Sequence, residues 1–322
     1  MKFKLRYLLP AFMACFTLSS CDWIQIGDND DDTTTSGYYK DYNLTLTGTR
    51  LEKELQKQCF DKHTFWVSYS QLNTYFSRKT DAEGNVTRNS AEAVSDGNAK
   101  NQWFYTGKEA SGAGTREHVW PCAKSGGLWV HNSSGVHYVD GSDYIGGGSD
   151  LYHVRTCNST VNTARGDSYF LDFDKTDSIR YSGNGSDIQE VGESGGKYKI
   201  KLAGLNSNGE YADYAEPADK MKGDVARIIL YVWIHYSERG DTPEKQVTQG
   251  KTTFNYSDFT GGLNLPNIMG YTTKEACGNI LKEWNELDPP SETEKLRNDT
   301  VQKIQGNRNP FVDHPELVNQ LF

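Results

Sequence analysis

The stretch GTREHVWPC, residues 114–122, places a carboxylate and an imidazole side by side at Glu117 and His118. Consecutive side chains of a β-strand point to opposite faces of the sheet. Two such neighbours can therefore serve one site only where the strand ends or bends. On its own, the pair is better explained as the polar end of an exposed strand, so a functional interpretation needs a second motif.

A second stretch, DLYHVRTCNSTVNTARGD at residues 150–167, predicts a short strand followed by a helix. Asn158 and Ser159 are residue types that cap helix N-termini, so we expect the helix to begin near one of them. The order along the chain is thus a strand ending in Glu-His, a second strand and a helix.

These two motifs resemble the endonuclease I family of His-Me finger (ββα-metal) nucleases. Two further segments match the family, KGDVAR at 222–227 and QGNRNPFVDHPE at 305–316, so the resemblance extends from about residue 50 to the end. It implies an α+β fold, with a His-Me finger core embedded in a mixed domain whose last third is helical. It also implies that the protein is a metal-dependent endonuclease, which hydrolyses DNA, RNA or both with little sequence preference and leaves 5′-phosphates.

The resemblance assigns roles to four residues. His118 matches the general base, which a main-chain carbonyl orients in the family. Glu117 and Asn162 match the metal ligands, and a carboxylate with an amide oxygen suits Mg²⁺, with Mn²⁺ or Ca²⁺ as substitutes. Arg165 matches an arginine one helical turn further on, and it either clamps a substrate phosphate or is a charge on the helix surface.

Other positions are candidates for phosphate binding or for structural support. Arg116, Arg155 and Arg297 are candidates for phosphate binding, and His153 matches a position that supports the fold. Tyr152 departs from the family, which has a histidine there, and this changes the surroundings of the site rather than its core chemistry.

The N-terminus predicts export. Three basic residues precede the apolar run LLPAFMACFTL, and the segment LSSC ends at Cys21. This layout is typical of a lipoprotein signal peptide over 1–20, with a lipidated Cys21 that would hold the protein in the cell envelope; a plain signal peptide is the alternative. The acidic segment 21–45 indicates a flexible tether, and 46–322 would be the nuclease domain.

The formal net charge is −9, which lacks the basic footprint usual in proteins that bind nucleic acid. Substrate binding would therefore depend on a local cluster and a bound cation. Outside the first 21 residues the cysteines are Cys59, Cys122, Cys157 and Cys277, and export permits disulfides. Three pairings are open, of which Cys122–Cys157 is one candidate. We expect a monomer.

The remaining pattern predicts several helices. TRLEKELQKQCF at 49–60 has helical spacing, and the following FWVSYSQLNTYF continues it or forms a strand. Residues 78–115 suggest a loop with little structure. GDVARIILYVWIHYSE predicts a buried helix with a structural His235, and capping boxes begin at Thr272 and Ser291. The segment GESGG at 192–196 fits a serine-hydrolase pattern, but the alternating KYKIKL after it predicts a strand and excludes the required helix.

Two other functions are compatible with parts of the sequence. The first is a catalytically silent surface lipoprotein, an adhesin or glycan-binding protein, on the same fold; the intact Glu117, His118 and Asn162 argue against it. The second is a zinc hydrolase using His131, His137 and His153, which lacks the usual helical spacing of two histidines.

Overall fold

The computed structural model describes residues 35–72, 78–80, 86–88, 102–109, 114–124, 138–139, 143–175, 188–192, 199–204, 213–239, 246–249 and 252–322. The chain divides into two compact units, Met1–Tyr38 and Tyr39–Phe322. Helix α1 (Thr35–Tyr38) is the described part of the first. The predicted signal peptide and most of the predicted tether lie outside the described residues. Within the described ranges, no helix has the length and apolar character needed to span a membrane.

The second unit mixes helices with short strands, as the α+β prediction requires. Its helices are α2 (Gly48–Lys62), α3 (Ser159–Arg165), α4 (Asp219–Tyr236), α5 (Lys274–Leu287), α6 (Glu292–Gln305), α7 (Pro310–Asp313) and α8 (Leu317–Leu321). Its strands are β1 (Arg78–Thr80), β2 (Val86–Arg88), β3 (Thr115–His118), β4 (Tyr138–Val139), β5 (Asp143–Tyr144), β6 (Val154–Cys157), β7 (Tyr169–Phe170), β8 (Ile188–Gly192), β9 (Lys199–Ala203), β10 (Tyr214–Glu216), β11 (Gln246–Gln249) and β12 (Thr252–Asn255).

Helix α4 lies at the centre of the core and packs against α2 and α5. The predicted apolar stripe is buried along its whole length: Val225, Ile228, Ile229, Val232, Trp233 and Tyr236. Burying each such side chain stabilises the fold by roughly 1.5–3 kcal/mol. The predicted buried helix is therefore confirmed, and the last third of the chain adds further helices together with the β11–β12 pair.

Side-chain caps fix where the C-terminal helices begin. Ser291 caps α6 as predicted, accepting a hydrogen bond from the N–H of Glu294 at 3.2 Å. Helix α5 is capped by Thr273, whose hydroxyl accepts from the N–H of Ala276 at 3.1 Å. The predicted cap at Thr272 is therefore wrong by one residue. Gly306 ends α6 with φ at 90°, a conformation that glycine adopts without steric cost.

The described strands form one four-stranded sheet and several pairs. The sheet has the order β7-β10-β9-β8, and only β7 and β10 run parallel. Strand β9 pairs antiparallel with β8, which confirms a strand after the glycine-rich segment; the turn between them lies outside the described residues. Strands β3 and β6 form a separate antiparallel pair.

Two predictions for the N-terminal half are wrong where the structure describes the chain; residues 73–76 of the segment FWVSYSQLNTYF lie outside the described residues. Residues 65–71 form neither helix nor strand, because tertiary contacts fix them: the N–H groups of Thr64 and Phe65 donate to Gln305 O, and the Trp66 ring stacks on Phe259. The described parts of 78–115 are structured, with a β1–β2 hairpin and a turn at 102–109 whose aromatic side chains, from Trp103 to Tyr105, are buried.

The cysteines at 59, 122, 157 and 277 form no disulfide with one another. The candidate Cys122–Cys157 bond is therefore not formed. Cys157 is buried as a thiol, with its Sγ 3.6 Å from the carbonyl oxygen of Phe104.

Candidate active site

Strands β3 and β6 and helix α3 bring the two motifs together. The β3–β6 register pairs Glu117 with Arg155 and His118 with Val154. Strand β3 ends at His118, and the chain bends immediately after it. The predicted strand end is confirmed. Helix α3 begins two residues after β6, because the Asn158 side chain accepts hydrogen bonds from the first free N–H groups of the helix.

Glu117 is almost completely buried, with 3% of its surface exposed. Its Oε1 accepts hydrogen bonds from the Tyr105 hydroxyl at 2.5 Å and from Arg165 Nη1 at 2.9 Å. No described residue donates a hydrogen bond to the other carboxylate oxygen, Oε2. This oxygen is not completely buried. One carboxylate oxygen is thus held by protein groups while the other remains open to a ligand.

Asn162 lies on helix α3 beside the same strand. Its Nδ2 donates to Thr115 Oγ1 at 2.9 Å and to the Arg116 carbonyl at 3.0 Å. These two acceptors fix the orientation of the amide, and its Oδ1 takes no hydrogen bond from a described residue. Thr115 and Glu117 are two residues apart in β3, so their side chains lie on the same face of the strand. Asn162 contacts the Thr115 side chain and therefore lies on the Glu117 side. The structure brings the two predicted metal ligands to one face.

His118 is the last residue of β3, and its ring lies parallel to that of Tyr69 at 6.0 Å. Its Nε2 lies 2.8 Å from the carbonyl oxygen of Gly148. A carbonyl only accepts, so Nε2 carries the proton and Nδ1 is the basic nitrogen. Burial and the neighbouring His153 lower the pKa of His118 to about 3, so the imidazole is neutral at pH 7.

His153 and Tyr152 form hydrogen bonds with the main chain near the site. His153 Nε2 accepts from the Trp120 N–H at 2.9 Å, and its Nδ1 donates to the Gly147 carbonyl. Both ring nitrogens are therefore used by the main chain, which leaves neither for the alternative zinc site; His131 and His137 lie outside the described residues. The Tyr152 hydroxyl donates to main-chain carbonyls of the C-terminal segment.

Arg165 is completely buried and does not lie on the helix surface. Besides its ion pair with Glu117, the guanidinium donates to the main-chain carbonyls of His118 at 3.1 Å and Val119 at 2.8 Å. This location argues against the predicted phosphate clamp as well. The side chain instead fixes the end of β3 and one oxygen of Glu117.

The other three arginines differ in exposure. Arg297 is buried and donates to the main-chain carbonyls of Leu151 and Val154, which argues against the predicted phosphate contact. Arg155 is partly exposed, with its guanidinium 3.6 Å from Asp224. Arg116 is also partly exposed and lies over the Tyr69 ring at 4.3 Å. Only the last two can be reached by a substrate.

Sequence reasoning missed two groups that touch the predicted catalytic pair. The first is the Tyr105 hydroxyl, which comes from a region predicted to be an unstructured loop; the aromatic run WFY at 103–105 was the available signal. The second is the residue that supplies the main-chain carbonyl expected to orient His118: it is Gly148, which no side-chain pattern could have indicated.

A second group of ligand-type side chains lies in the core. His63, Asp150 and His235 are buried and offer ligand atoms within 4.8 Å of one another, so by type and spacing they could hold a metal ion. The Asp150 carboxylate already accepts four hydrogen bonds, two at each oxygen, from Tyr152, Gln305, Tyr231 and Tyr236. A cation there would have to share satisfied oxygens, whereas Glu117 and Asn162 each keep one oxygen open.

Comparison with known proteins identifies the family. Residues 45–316 match the model of the family described as Endonuclease I. The chain is 30% identical over 296 residues to an extracellular ribonuclease of Bacillus amyloliquefaciens, covering 89% of this chain and 78% of that protein. It is 32% identical over 208 residues to an extracellular ribonuclease of Bacillus subtilis (strain 168), covering 64% and 53%. The chain belongs to the endonuclease I family.

Proposed function

We propose that this chain is an exported, Mg²⁺-dependent endonuclease with a His-Me finger core, which hydrolyses DNA, RNA or both with little sequence preference. The observation that carries the proposal is the pairing of Glu117 and Asn162 on one face of β3, each oriented by hydrogen bonds that leave one oxygen open. Similarity to two extracellular ribonucleases supports phosphodiester hydrolysis and export.

The open donor set fits the proposed ion. Glu117 Oε2 and Asn162 Oδ1 are hard oxygen ligands from rigid elements, and two such ligands leave several positions for water, as Mg²⁺ prefers. When bound, the ion would neutralise charge on the phosphate and lower the pKa of a coordinated water. Both protein ligands are pre-oriented, so binding would cost little side-chain entropy.

His118 is the proposed general base. The Gly148 carbonyl holds Nε2, so that Nδ1 accepts the proton of the attacking water. The water oxygen forms a bond to phosphorus, the bond from phosphorus to the 3′ oxygen breaks, and the departing oxygen takes up a proton from a second water molecule. The products are a 5′-phosphate and a 3′-hydroxyl.

Arg116 and Arg155 are the proposed phosphate contacts. Both are partly exposed. Arg116 lies in β3 opposite Thr156, and Arg155 lies in β6 opposite Glu117. A net charge of −9 leaves little long-range attraction for a polyanion, so we expect binding to rest on few contacts.

Plasmid and RNA degradation tests this function. Purified protein spanning residues 22–322 should nick plasmid DNA, degrade RNA or do both with Mg²⁺, stop in EDTA and recover when Mg²⁺ is restored. Full activity in EDTA would contradict metal dependence. Products with 3′-phosphates would contradict the proposed direction of cleavage. Absence of any cleavage with either substrate would favour the silent surface-binding protein.

We also propose that residues 1–20 direct export and that a lipid on Cys21 anchors the protein to a membrane, with 21–45 as the tether to a nuclease domain at 46–322. The Cys21→Ser variant should leave the membrane fraction and keep its nuclease activity, as measured in fractionated cells. Unchanged membrane association would rule out lipidation at this cysteine.

A further inference from the structure

Tyr105 has an unusual main-chain conformation. Its φ is 71°, and it is the only non-glycine residue with positive φ among those that the structure describes. A bulky side chain in this region is strained, and such strain persists only where surrounding contacts enforce it. Strained residues cluster at functional sites.

Hydrogen bonds on both sides enforce the strained turn. The N–H of Phe104 donates to the Thr156 carbonyl of β6 at 3.1 Å, and the Tyr105 carbonyl accepts from the N–H of Ala218 at 3.0 Å. The turn is closed by hydrogen bonds between Trp103 and the residues at 107 and 108. The turn is thus fixed between the site strand β6 and the start of α4.

The conformation delivers one hydroxyl to one oxygen. The Tyr105 side chain is completely buried, and its hydroxyl lies 2.5 Å from Glu117 Oε1, the oxygen that Arg165 also contacts. With two donors on Oε1, rotation of the carboxylate would break both hydrogen bonds. Oε2 is therefore held in a single direction.

We propose that Tyr105 is a positioning residue for the cation site, which holds Glu117 so that Oε2 alone is presented as a ligand. This inference rests on the proposed function, since it requires Glu117 to bind metal. Hydrogen-bond partners of metal ligands tune affinity, and their loss typically weakens metal binding or activity by roughly 10- to 100-fold.

A purely structural role for Tyr105 is the competing explanation. Its ring packs near Phe104 and Phe170, with ring centres 4.8 and 5.9 Å away, and a phenylalanine would fill the same space. The Tyr105→Phe variant therefore removes the hydroxyl while it retains the packing. The matched control is Tyr256→Phe, which removes another buried hydroxyl, one that donates to the main-chain carbonyl of His235.

The test is Mn²⁺ titration by calorimetry, paired with turnover against metal concentration. Tyr105→Phe should raise the Kd for Mn²⁺ by about 10-fold, and excess metal should restore turnover. Tyr256→Phe should leave the Kd unchanged. A wild-type Kd in Tyr105→Phe would overturn the inference if Glu117→Gln has lost binding. If Glu117→Gln also binds Mn²⁺ like wild type, the proposed metal site fails and this inference fails with it.

Discussion

Two buried glutamate–arginine pairs in this protein differ in how many oxygens of the carboxylate contact the arginine. Between helices α4 and α6, Glu294 and Arg227 form a two-pronged pair, with Oε1 2.7 Å from Nε and Oε2 2.6 Å from Nη2. At the candidate site, Arg165 contacts only Oε1 of Glu117, at 2.9 Å. Both pairs are inaccessible to solvent apart from a few per cent of the glutamate surface.

The difference separates a structural pair from a candidate functional one. Both oxygens of Glu294 are occupied, so the α4–α6 pair has no capacity for a further ligand. Glu117 is held just as firmly, by Arg165 and Tyr105, but at one oxygen only. A buried carboxylate with one oxygen free of hydrogen bonds therefore indicates a ligand site better than the burial of a charge alone.

The largest expected effect comes from breaking the structural pair of Glu294 and Arg227. Arg227→Met should destabilise the protein by about 3–5 kcal/mol, because it leaves the buried Glu294 carboxylate without a counter-charge. Urea denaturation measures this loss. Lys175→Met, which breaks the exposed pair with Glu283, should cost far less stability, because solvent screens that pair. An equal cost for the two variants would show that the buried pair is not a structural requirement.

The second prediction uses pH to sharpen the contrast. Burial raises the pKa of Glu117 from 4.5 to about 7, although Arg165 and Tyr105 oppose this. A carboxyl group with a raised folded-state pKa contributes stability below its unfolded pKa and loses it as pH rises through the folded value. In EDTA, wild type should lose about 2–3 kcal/mol relative to Glu117→Gln between pH 5 and pH 8. Parallel stability curves for the two proteins would contradict the assigned pKa.

The smallest expected effect concerns the exposed arginines. Arg116→Gln and Arg155→Gln should each raise KM by about 3- to 10-fold and reduce the salt dependence of DNA binding by about one unit of log–log slope. Fluorescence anisotropy against salt concentration measures the slope. A slope unchanged in both variants would place the phosphate contacts elsewhere on the molecule.

The local elements of the site were predictable from sequence. The Glu-His strand end, the second strand and the Asn158-capped helix follow from alternation and capping, which act between residues close in the chain. The buried stripe of α4 follows from helical periodicity in the same way. These features could be predicted because each depends on neighbours within a few positions.

The contacts that finish the site were not predictable. The sequence assigns Arg165 to substrate or solvent, yet the side chain lies in the core, where it pairs with Glu117. The two residues are 48 positions apart in the chain, so no local pattern indicates this contact. Tyr105 reaches Glu117 only through a strained turn held by β6 and α4. Such placements depend on tertiary packing, which no local pattern in one sequence encodes.

Mn²⁺ binding by calorimetry to four single variants tests the central claim most directly. Glu117→Gln and Asn162→Ala should weaken binding at least about 10-fold, whereas His118→Ala and His235→Gln should bind like wild type. His118→Ala should nevertheless lose about 100- to 10,000-fold in turnover, and excess metal should not restore it. Retained binding in Glu117→Gln and Asn162→Ala, together with its loss in His235→Gln, would place the ion in the core cluster and contradict the account.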